Sequence, residues 1–142
     1  MALLTQDVEE KVKEYLAAMD HEVTLEFYPR AGNAASDMVK DLWGEIAALS
    51  SKLTIKGHDD AVTLVAPDTT EDLESAVTEL SVEGKATGIR YLGIPGGHEF
   101  GAFLETLVAV SKDETPEIGA EVAQYLKDVQ SPLHLYVFVT PT

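Results

Sequence analysis

The side chains of this chain that could do chemistry sit in a few short stretches. His58-Asp59-Asp60 is the one compact cluster of potential metal ligands. Adjacent ligands on one loop without a distant partner make a poor metal site, so the stretch reads as a solvated turn. Gly96-Gly97 leads into His98-Glu99, where the free backbone donors of a starting helix could cradle an anion. No lysine followed by serine or threonine comes after it at phosphate-loop spacing, so it reads as a tight connection into a helix. Ser50 and Ser51 lack a histidine and aspartate context, which leaves a hydrolase unsupported. His21 and His134 stand near strand starts and read as surface residues. Asn33-Ala34-Ala35-Ser36 mark the start of a helix, with Asn33 as its N-cap. Cysteine is absent, which excludes disulfides, thiolate nucleophiles and cysteine metal sites within these 142 residues. No bound metal and no cofactor are expected.

The elements that must position these residues belong to one soluble domain. A length of 142 residues supports one domain with a real core and is short for two of ordinary size. Hydrophobic residues make up 45% of the chain, and mean hydropathy is near zero. No apolar run approaches the roughly 18 residues of a membrane-spanning helix. The start, M-A-L-L-T-Q-D-V-E-E, lacks the basic and long apolar regions of a secretory signal. The expected location is cytoplasmic, with no membrane partner. A net charge of −15 repels nucleic acid and anionic lipid, so neither is expected as a partner. Such evenly spread acidity serves solubility and would suit a high-salt cytoplasm.

Val8, Val12, Tyr15, Leu16 and Met19 recur at helical spacing after Thr5, a fitting N-cap, with Asp7 and Glu9 at the positive end of the dipole. Alternation at Val23, Leu25 and Phe27 predicts a strand, which Pro29 and Gly32 end. Met38, Val39, Leu42, Trp43, Ile46 and Leu49 write a second helix, with Trp43 in its core face, and a short strand follows at 53–55. Together these form a β-α-β unit. Residues 61–66 look like a strand, whereas 68–80 could be helix throughout or end in a strand. The favoured division is a helix over 70–75 and a strand over 77–82. Glu83-Gly84-Lys85 turns the chain into a partner strand at 88–93. A helix then opens at His98, with Phe100, Phe103, Leu104, Leu107 and Val108 as its core face. Thr115-Pro116 caps and starts a last helix over 116–129, and residues 133–139 read as a strand.

The chain also repeats itself. A shift of 110 positions carries Val8, Val12, Tyr15, Leu16 and Met19 onto Ile118, Val122, Tyr125, Leu126 and Val129. The same shift carries Val23, Leu25 and Phe27 onto Leu133, Leu135 and Val137 without a gap. Amphipathic helix-strand pairs are common enough to match by coincidence. Taken as a repeat, the register divides the chain into a complete unit at 1–112 and the opening helix and strand of a second at 113–142.

The order helix, strand, turn, helix, followed by a β-hairpin and a closing helix, is similar to the thioredoxin/glutaredoxin fold, an α/β fold with a central mixed sheet flanked by helices. The stretch G-I-R-Y-L-G-I-P-G-G-H-E-F-G-A-F-L-E at 88–105, with the terminal Y-V-F-V-T-P-T, resembles archaeal-type protein disulfide oxidoreductases, which are chains of two fused thioredoxin-like units. E-I-A-A-L-S-S-K-L-T-I-K at 45–56, and again G-H-E-F, resemble the N-terminal domain of the flavoprotein subunit of alkyl hydroperoxide reductase. The resemblance implies thiol-disulfide exchange and electron transfer in redox homeostasis. It implies disulfide-containing proteins and a thioredoxin-reductase-like flavoprotein as partners.

The same resemblance shows where this chain departs. Asn33, Ala34, Ala35 and Ser36 occupy the place of a Cys-x-x-Cys, and Ala76 falls at the position of the fold's cis-proline. A thiolate at a helix N-terminus is what the exchange requires, and neither Asn33 nor Ser36 can attack a disulfide. The first unit is therefore expected to be redox-inactive. In the family Thr140, Pro141 and Thr142 would lead into the Cys-x-x-Cys of the second unit. The alternative is a redox-dead docking or scaffold module, free-standing or fused to a peroxide-reductase flavoprotein. Segment 116–139 carries an apolar face that needs cover, and a homodimer through it is expected.

Overall fold

The computed structural model describes residues 2–59 and 75–139. Helix α1 (Gln6–Leu16) starts after Thr5, whose extended backbone ends in a carbonyl that accepts from the amides of Val8 and Glu9 at 2.9 Å each. Strand β1 (Val23–Tyr28), helix α2 (Ala34–Ala47) and strand β2 (Leu53–Gly57) follow, with β2 parallel to β1, the β-α-β unit read from the sequence. Strand β3 (Val77–Val82) and strand β4 (Lys85–Leu92) form an antiparallel hairpin, and β3 also pairs antiparallel with β1. The sheet order is β2-β1-β3-β4. Helices α3 (His98–Ser111) and α4 (Ala120–Asp128) complete the described elements.

The hairpin turn explains itself chemically. Glu83 and Gly84 both have positive φ, 48° and 78°, the pair of left-handed residues that a two-residue turn matching strand twist demands. Farther along β4 the register slips between Glu79 and Ser81 of the partner strand. Gly88 takes φ 81° there. Thr87 holds the irregularity by donating its hydroxyl to the Leu80 carbonyl at 2.8 Å while accepting the Ile89 amide at 3.1 Å.

Cross-strand partners share a face, so the pairing sorts the sheet into two surfaces. Leu25 pairs with Ile55 and Leu80, and Phe27 with Thr78, and these line the core face. Trp43 of α2 stacks on Phe103 of α3 with centroids 4.7 Å apart, and Tyr91 meets Phe103 edge-on at 5.0 Å. Val12, Leu16 and Met19 of the N-terminal segment close the same core, each 1% exposed. On the other face Thr24 pairs with Thr54 and Ser81, and Glu26 with Lys56 and Glu79, so that face is polar.

Several expectations need correction. Residues 133–139 form no strand, and Leu133, Leu135, Val137 and Phe138 are exposed. A strand requires a neighbour to take its backbone bonds, and no described strand flanks this segment. The last helix begins at Ala120 after Gly119, one turn later than Thr115-Pro116 would start it, because the Ile118 amide closes instead on the Pro116 carbonyl at 2.9 Å. Met38 and Tyr15, placed in apolar stripes, are 49% and 47% exposed, so they flank the core faces of their helices. The strand expected at 61–66, and the helix expected over 70–75 as far as residue 74, lie outside the described residues.

Candidate functional site

The amino end of α2 is where the chain places its candidate site. Gly32, at φ 76°, swings the backbone out of β1, and Asn33 takes the extended N-cap conformation at φ −103°, ψ 109°. Asn33 Oδ1 accepts the Ala35 amide at 2.9 Å, the capping bond expected of it. Ser36, 5% exposed, turns its hydroxyl back to accept the Arg30 amide at 3.0 Å. The turn is thus tied at both ends by the side chains of Asn33 and Ser36. Arg30, Ala31, Gly32, Asn33 and Ala34 line a shallow polar hollow at this end of the helix. It holds backbone donors and no nucleophile.

Ala76, 2% exposed, immediately precedes β3, and its carbonyl accepts the Gly93 amide at 2.9 Å. Thr140, Pro141 and Thr142 lie outside the described residues. Among the described residues no group of three or more His, Asp or Glu side chains gathers as a metal site.

His58 departs from the solvated turn read from the sequence. It sits at the end of β2, where its amide donates to the Phe27 carbonyl at 2.8 Å. Its ring stacks on Tyr28 with centroids 4.3 Å apart and planes 9° from parallel. Its Nε2 meets Glu26 Oε2 at 2.5 Å, and the Ser81 hydroxyl donates to the other Glu26 oxygen at 3.2 Å. Lys56 Nζ lies 3.5 Å from the same carboxylate. Burial pushes the Glu26 carboxyl upward, but the bonds from His58 and Ser81 and the charge of Lys56 together hold it below its ordinary value. The sequence signal was present only as spacing. Lys56 in β2 and His58 just past its end stand two apart and so share a face, but nothing local says that Glu26 of β1 faces them.

His21 is a surface residue as expected, with Nδ1 3.2 Å from Glu83 Oε1. Its amide donates to the Ser111 carbonyl at 3.1 Å, which ties the start of β1 to the end of α3. His98 opens α3 after Gly97, whose φ of 56° makes the tight connection read from Gly96-Gly97.

No family model matches the chain. Among curated proteins it is 29% identical over 143 residues to the AhpF component of alkyl hydroperoxide reductase from Staphylococcus epidermidis, covering 99% of this chain and 25% of that protein. It is 21% identical over 140 residues to an NADH dehydrogenase of Bacillus subtilis, covering 99% of this chain and 25% of that protein. The chain spans about a quarter of the length of the curated relatives it matches. Among solved structures, the alkylhydroperoxide reductase component AhpF of Enterococcus faecalis superposes with TM-score 0.66 at 21% identity, over 87% of this chain and 59% of that one. A protein disulfide oxidoreductase of Aeropyrum pernix superposes with TM-score 0.62 at 19% identity, over 90% of this chain and 56% of that one. The chain has a thioredoxin-like fold, and it resembles both the N-terminal domain of AhpF and the protein disulfide oxidoreductases.

Proposed function

We propose that residues 1–112 are the redox-inactive first unit of a thiol-disulfide oxidoreductase and that residues 113–142 open its second unit. In this reading the exchange takes place at a Cys-x-x-Cys beyond residue 142. There a thiolate attacks one sulfur of a substrate disulfide and expels the other as thiolate. The second thiol then resolves the mixed disulfide, leaving the substrate reduced and the motif oxidised. A flavoprotein disulfide reductase returns the two electrons, and the site of action is the cytoplasm. The first unit supplies packing and substrate surface.

The observation that carries this reading is the amino end of α2. The turn, cap and helix start are intact, yet Asn33 Oδ1 and Ser36 Oγ are used for backbone bonds and no thiol is present. Ala76, before β3, takes the position of the substrate-seating proline in the same reading.

The test is the intact mass and thiol titre of the protein purified from its natural source. A mass well above 15.4 kDa with a titratable thiol pair is the expected result. A mass of 15.4 kDa with no thiol would overturn the reading and leave a redox-dead docking module. The absence of cysteine from all 142 residues is the observation that favours this second reading.

A further inference from the structure

We propose that the groove between α1 and α3 docks a cationic amphipathic helix of a partner protein. The inference stands apart from the thiol chemistry above, since none of its residues belongs to the α2 site. Its floor is apolar, formed by Tyr15 and Ala18 of the α1 segment and by Val108 and Ala109 of α3. Val12, Leu16 and Met19 turn inward at 1% exposure, while Tyr15, on the same helix, stays 47% exposed on the flank that faces α3. An apolar floor between two packed helices is the setting in which a third helix seats its own stripe.

The rim decides what kind of helix fits. Glu14, Glu105 and Glu114 surround the floor, and the cation paired at this edge is Lys112, 4.0 Å from Glu114. An incoming helix with lysine or arginine beside its apolar stripe would pair with these carboxylates. One with acidic flanks would be repelled. That charge pattern excludes the chain's own α4, which carries Val122, Tyr125 and Leu126 but also Glu121 and Asp128 against the single Lys127. In the structure α4 buries no residue, so it does not fill the groove. The α4 of a second copy carries the same acidic flanks and is disfavoured in this groove in the same way.

The test titrates the isotopically labelled 142-residue chain with a synthetic helical peptide bearing leucine on one face and lysine on its flanks. A matched peptide with glutamate flanks is the control. Saturable chemical-shift changes centred on residues 14–18 and 105–114 are expected, with the control peptide bound at least about tenfold more weakly. Ala18→Trp, at an exposed position just past the end of α1, fills the floor and should weaken the lysine peptide about tenfold. Glu14→Gln with Glu105→Gln leaves the floor open and should flatten the salt dependence of binding. Shifts centred on 118–139 or spread over the surface would overturn the proposal. Equal affinity for the two peptides, or indifference to Ala18→Trp, would do the same.

Discussion

The indole N–H of Trp43 on α2 donates to the hydroxyl of Thr78 on β3 at 2.8 Å, and both residues are wholly buried. The bond stitches the helix that carries the site to the strand beginning just after Ala76. Thr78→Val keeps the volume but leaves the indole donor unsatisfied in the core, which costs about 1–3 kcal/mol. Thr78→Ser keeps the acceptor and should lose less. Urea unfolding followed by the fluorescence of Trp43, the one tryptophan in the sequence, measures both.

Acid should act through Glu26. Its carboxyl titrates lower when folded than the ordinary 4.5. Its contribution is therefore complete above that value and is lost as pH falls through the lower folded one. Glu26→Gln should flatten the acid limb of a stability-against-pH curve below about pH 4.5. An unchanged acid limb would show that the contacts from His58 and Ser81 do not favour the ionised form.

Introducing thiols at Asn33 and Ser36 tests the proposal that the amino end of α2 stands where a redox pair would. Asn33→Cys with Ser36→Cys should close an intramolecular disulfide and give the chain measurable reduction of insulin by dithiothreitol. A double variant whose cysteines stay independent would mean that α2 does not present these positions as a redox pair. Asn33→Ala alone should cost about 1 kcal/mol, the usual loss of an N-cap.

The N-terminal arm is held by Glu45 of α2, whose carboxylate accepts the Leu3 amide at 2.7 Å and the Leu4 amide at 2.8 Å. Glu45→Ala should speed hydrogen exchange at those two amides. Global stability should change by no more than about 1.5 kcal/mol, since the contacts are at the surface.

Alone in solution, the 142-residue chain should self-associate through segment 116–139, where Tyr125 is 72% and Leu135 is 89% exposed. Light scattering at high micromolar concentration checks this. A strictly monomeric mass with the segment resistant to protease would count against it. Tyr125→Glu with Leu135→Glu should restore the monomer without lowering the stability of the core, to which neither side chain contributes.

Elements whose pattern is set by neighbours along the chain were legible in the sequence. The strand at 77–82, the tight turn after it, the opening of α3 at His98 and the N-cap at Asn33 all stand where spacing and residue type put them. Local preference failed where a segment needed a partner. Residues 133–139 are at least as apolar as β1, yet form no strand, since β1 has β2 and β3 to take its amides and carbonyls and no described strand flanks this segment. The contacts of His58 with Glu26, of Trp43 with Thr78 and of α1 with α3 join residues more than thirty positions apart. The sequence by itself determined which elements could form and that no thiol chemistry resides in them. Only the packed sheet decided which polar groups meet and which apolar faces stay uncovered, because burial and charge pairing depend on proximity in space.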